Sequence, residues 1–79
     1  MSVFVANRGE IAVRIVRAAH EAGLPAVVAV TRAETDSLAA RLAGTVHVLP
    51  GEGAAAYLDA AALVEGAREH GCTLLHPGY

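Results

Sequence analysis

The chain has 79 residues, of which 54% are hydrophobic and 18% charged, and its formal net charge is -2. That composition is too apolar for a disordered tail and has no run long enough to span a membrane. The near-neutral balance gives no electrostatic reason to expect nucleic acid or an anionic membrane as a partner, a local basic stripe aside. A core of this size is only marginally stable alone, which makes a partner region expected from the outset.

Val3 to Ala6 is a continuous apolar run closed by Asn7 and Gly9, the pattern of a strand buried on both faces. From Gly9 to Ala22 the residues Ile11, Ile15, Ala18, Ala19 and Ala22 recur with helical spacing, and Gly23 and Pro25 stop the helix. Pro25 to Thr31, PAVVAVT, is β-branched and predicts a second buried strand, followed by the polar turn RAETD. Ser37 to Ala43 predicts a short helix with Asp36 as its cap, and Thr45 to Leu49 a third strand between Gly44 and Pro50. After the loop PGEGAAAY, a helix is predicted from Asp59 to His70. Asp59 would cap it, Leu58 and Leu63 would form a hydrophobic staple, and Ala60, Leu63, Val64 and Ala67 its buried stripe. Gly71 closes that helix, and Cys72 to Leu75 predicts a fourth strand running into HPGY.

Strands alternating with helices over short connections imply βαβ units, right-handed crossovers and a parallel sheet. The expected architecture is therefore α/β, a Rossmann-like open sheet of four strands with three helices. In the common doubly wound order 3-2-1-4, the first and fourth strands meet at the topological switch point, where ligands bind beyond the carboxyl ends. VANRGE would then lie beside LLHPGY.

A phosphate loop needs several glycines, yet VANRGE has only Gly9, and Glu10 sits in the first helical turn where an anion would bind. Asn7 and Arg8 are better read as cleft residues, Arg8 either orienting a carboxylate or bicarbonate or pairing with a neighbouring acid. Gly51 to Ala56 matches G-x-G-x-x-A in letters, but Pro50 separates it from the strand and the helix starts only near Asp59, so a flexible connection is expected. Arg14, Arg17 and Glu21 share one side of the first helix, as a solvated face or as an interface about a two-fold axis, and Glu10 is spaced to pair with Arg14. The histidines His20, His47, His70 and His76 carry no metal-ligand spacing, and no metal site is expected. Cys72 would fill core, and Tyr57 would pack. An unpaired thiol and no leader-like segment set a cytoplasmic expectation.

VANRGEIAVRIVRAA, LPGEGAAAYLDAAAL and the closing HPGY together resemble, in order and spacing, the start of a biotin carboxylase, the ATP-dependent component of acyl-CoA, pyruvate and urea carboxylases. The resemblance runs end to end and implies that residues 1–79 are the N-terminal domain, cut before a glycine-rich continuation and an ATP-grasp region. It implies a reaction in which MgATP activates bicarbonate and CO2 passes to biotin on a biotin carboxyl carrier protein. It aligns Tyr79 with the tyrosine bordering the biotin ring, with Gly78 and His76 shaping the same turn. It also sets Arg17 and Glu21, with Arg14 beside them, at a homodimer interface. The family holds nucleotide phosphates with lysines, and this chain has none, so no catalytic residue and no tight ATP, Mg2+ or biotin binding is expected of it alone. A freestanding Rossmann-like module for a nucleotide or small acid is the alternative.

Overall fold

In the computed structural model, which describes residues 1–78, one parallel sheet contains β1 (Val3–Val5), β2 (Ala26–Val30), β3 (Thr45–Val48) and β4 (Leu74–His76). The strand order is β3-β2-β1-β4, as expected from the alternation of elements. Val3 lies opposite Ala26 and Leu74, and Val5 opposite Val28 and His76.

Because successive strand residues point to opposite faces, the sheet divides its apolar side chains between two cores. Val3, Val5, Ala26, Val28 and Val30 pack with Ala12, Ile15, Val16 and Ala19 under helix α1 (Gly9–Glu21), and with Ala39 and Ala40 of helix α2 (Leu38–Ala43). Phe4, Ala6, Val27 and Ala29 face the other way, against Leu49, Ala56, and Leu63 and Ala67 of helix α3 (Ala60–Glu69). The chain travels outward from β1 to β3 on one face and returns to β4 across the other. The boundary between β1 and β4 is thereby the switch point.

Several local expectations are corrected. Ile15 and Ala19 are buried as predicted, but Ile11, Ala18 and Ala22 are exposed, and Ala12 and Val16 take their place. The helix turns its two adjacent bulky β-branched residues, Ile15 and Val16, to the sheet. Ser37, not Asp36, caps α2: its Oγ accepts the Ala40 N–H at 3.2 Å, because the extended backbone stops one residue before Leu38.

Asp59 caps α3 as predicted, its Oδ1 accepting the Ala62 N–H at 3.0 Å. The staple is not closed, since Leu58 is 78% exposed. A 3-10 turn over Ala54–Leu58, where a flexible connection was expected, aims Ala56 into the core and leaves Leu58 outside. In α3 the buried residues are Leu63, Gly66 and Ala67, while Ala60 and Val64 face outward. The fourth strand starts at Leu74 rather than Cys72 and is an edge strand, with Leu74 and Leu75 both exposed. Cys72 lies ahead of it, half-buried, accepting a hydrogen bond from the Ser2 hydroxyl at 3.3 Å. Among the described residues no helix is long and apolar enough to cross a membrane.

Candidate functional site at the switch point

The pairing of β1 with β4 brings VANRGE against the turn that follows β4. The Ala6 N–H donates to the His76 carbonyl at 3.0 Å, extending the ladder by one residue. Asn7 then closes the junction: its Nδ2 donates to the Pro77 carbonyl at 2.7 Å while its Oδ1 accepts the Arg8 N–H at 2.7 Å. The Gly78 N–H donates to His76 Nδ1 at 3.1 Å, so the turn is tied both to itself and to β1. Gly78 has φ +95°, and a Cβ there would stand 2.6 Å from Asn7 Nδ2 and 2.7 Å from Ile11 Cγ2. Only glycine meets both demands. Tyr79 lies outside the described residues.

Arg8 leaves β1 toward the end of β2. Its Nη1 pairs with Glu34 Oε1 at 3.5 Å, and the same carboxylate oxygen accepts the Thr31 hydroxyl at 3.2 Å. Tyr57 comes down from the 3-10 turn and donates its hydroxyl to the Ala29 carbonyl at 3.0 Å. Together with Ala6, Asn7 and Arg8 it lines a cleft of about 220 Å³. Burial, with the Glu34 carboxylate adding to it and Arg8 opposing it, pushes the Tyr57 hydroxyl up to about 12. An acid whose folded value is raised stays protonated longer in the fold than in the unfolded chain, which ionises near 10. That contribution is complete below pH about 10 and disappears as pH climbs toward 12. Urea unfolding of wild type and Tyr57→Phe between pH 9 and 12 checks this: the wild type should lose more stability over the range, and parallel curves would refute the role.

Tyr57 and Glu34 were missed as site residues because nothing near them in sequence marks them. The one available signal was a phenol in an otherwise apolar segment, since a buried hydroxyl needs a partner. The interface candidates lie elsewhere. Arg14 pairs with Glu10 at 3.1 Å across one helical turn, both side chains largely exposed, and Arg17 and Glu21 are exposed on the same helix. Arg17 borders a groove of about 400 Å³ that runs between α1 and Leu38 of α2.

These polar groups are engaged with one another, and they do not form a nucleotide clamp: Arg8 is neutralised by Glu34, Glu10 occupies the first turn of α1, and lysine is absent. The described residues therefore do not fit ATP or its magnesium ion.

The chain is 44% identical over 79 residues to biotin carboxylase 2, chloroplastic, of Populus trichocarpa, covering 98% of this chain and 15% of that protein. It superposes with TM-score 0.93 and 49% identity on the biotin carboxylase domain of a single-chain bacterial carboxylase, over 99% of this chain and 18% of that one. The biotin carboxylase domain dimer of Hydrogenobacter thermophilus 2-oxoglutarate carboxylase, solved with MgADP, ADP and bicarbonate, matches with TM-score 0.92 and 36% identity, over 99% and 17% of the two chains. The chain thus spans less than a fifth of each of these proteins. The family model for the N-terminal domain of biotin carboxylase matches residues 1–79, and with the strand order and the switch-point turn it places this chain in the biotin carboxylase N-terminal domain family.

Proposed function

We propose that this chain serves as the N-terminal part of a biotin carboxylase, the ATP-dependent ligase that carboxylates carrier-borne biotin with bicarbonate. The observation that carries the reading is the match of all 79 residues to that N-terminal domain, at an identity well above what fold alone requires. In this role residues 1–79 are scaffold and one wall of the active site. Asn7, Arg8, His76 and Gly78 shape that wall, Tyr79 borders the biotin ring, and nucleotide, Mg2+ and bicarbonate are handled by an ATP-grasp region. Two surfaces support such a partner. β4 offers an open edge, and beside it Val64, Leu74 and Leu75 leave an apolar strip exposed. Arg14, Arg17 and Glu21 would contribute to a homodimer of the whole enzyme, and the carrier protein would bring biotin to the wall.

A graft tests the reading. This chain replaces the corresponding residues of a biotin carboxylase of known activity, and ATP- and bicarbonate-dependent carboxylation of biotin is measured alongside sedimentation. The chimera should be active and dimeric, and the 79-residue chain alone inactive. A folded chimera without activity would sink the proposal. Tight, saturable ATP binding by the chain alone would favour a freestanding module instead.

A further inference from the structure

On the sheet face opposite α1, strand β3 and the end of α3 bring together two histidines that lie 23 residues apart in sequence. His47 Nδ1 and His70 Nε2 face each other at 3.2 Å, with ring planes at 86° and centroids 5.2 Å apart. The other nitrogen of His47, Nε2, faces Glu69 Oε2 at 3.9 Å. His47 is held firmly: its ring meets Phe4 in a T-shaped contact at 5.8 Å, and a Cβ on Gly66 would stand 2.6 Å from its Cδ2. Its side chain is only 15% exposed, whereas His70 sits on the exposed rim.

Two neutral imidazole nitrogens in this position share one proton between them. The same separation suits a metal ion. An ion with tetrahedral bonds of about 2.0–2.1 Å holds two ligand nitrogens roughly 3.3–3.4 Å apart, a few tenths of an ångström from the distance already present. In the tautomer with its proton on Nε2, His47 turns its Nδ1 lone pair toward His70. His70 would then carry its proton on Nδ1 and ligate through Nε2, so binding to the neutral pair needs only a tautomer change and no net proton release.

We propose that His47 and His70 form a two-imidazole seat for a divalent transition-metal ion. Among the described residues no three His, Cys, Asp or Glu side chains converge on one point, so water completes the coordination and the ion is exchangeable. His70 is exposed, which gives that water access to the pair. Imidazole donors select zinc, copper or nickel over magnesium and calcium, which separates this seat from the MgATP chemistry proposed above.

Zinc chloride titrated into the chain should give one saturable site by calorimetry and raise its Tm, while magnesium chloride should do neither. His70→Ala, a change on the exposed rim, should remove the Tm shift and weaken zinc binding at least ~10-fold. Absence of saturable zinc binding in the wild type overturns the proposal. So does undiminished binding in His70→Ala, which would assign the zinc to other groups such as His20 or the N-terminal amine.

Discussion

Phe4→Ala is expected to abolish stable folding of the isolated chain at 25 °C. Phe4 is fully buried at the middle of β1, and it is the largest fully buried side chain of the core under α3. The helix approaches it closely because Gly66 has no side chain: a Cβ there would come within 2.9 Å of the Phe4 ring. Gly66 has no side chain to fill the space left by alanine, and the sheet backbone around it is fixed by pairing on both sides. A buried Phe→Ala change costs about 3–5 kcal/mol. A 79-residue domain has roughly 4–12 kcal/mol in total at ~0.05–0.15 kcal/mol per residue, and small cores fall toward the lower end. The loss is thus comparable with the whole stability. Urea unfolding followed by circular dichroism reads it directly, and a midpoint within error of wild type would show that the α3 face is not organised around this ring. Phe4→Leu, which keeps most of the volume, should cost much less, about 1.5 kcal/mol or below.

The second large effect is expected at Gly78→Ala, read as activity rather than stability. The substitution puts an L side chain at φ +95° and drives its Cβ into Asn7 and Ile11. Strain of about 1–3 kcal/mol can be relieved only by opening the turn, because Asn7 is already tethered to the Pro77 carbonyl. In the biotin carboxylase graft this displaces the proposed wall of the active site. A misplacement of about 1 Å at a positioning element costs on the order of 10²-fold in rate. Carboxylation kcat/KM should fall by about that factor, with the unfolding midpoint lowered by no more than the strain of the turn, because the turn lies outside both cores. Wild-type kinetics would remove these residues from the active site.

What the sequence disclosed follows from where the information is local. PAVVAVT announces a central strand because both faces of β2 are covered, which demands an unbroken apolar run. Asp59 announces its helix because a cap acts on an N–H three residues away. The strand order follows from chirality and alternation alone. The rotation of α1 was not legible, since small apolar residues stand on several of its sides and only the docked sheet decides which stripe is covered. Arg8 with Glu34, Tyr57 with Ala29 and His47 with His70 were equally hidden. Their separations of 26, 28 and 23 residues have no periodic signature, and only the assembled fold brings them into contact.

The closure of the switch point by Asn7 and Pro77 joins positions 70 apart in a chain of 79. During synthesis β1, β2 and β3 can pair as soon as they leave the ribosome, together with the helices on one face. The bond that shapes the cleft must wait until Pro77 has emerged. Until β4 has emerged, β1 is a central strand bordered on one side only, although α3 is already available to cover Phe4. The cleft therefore forms only after β4, and the bond that shapes it shares with the β1–β4 pairing a closure over about 70 residues, with the chain entropy that such a loop costs.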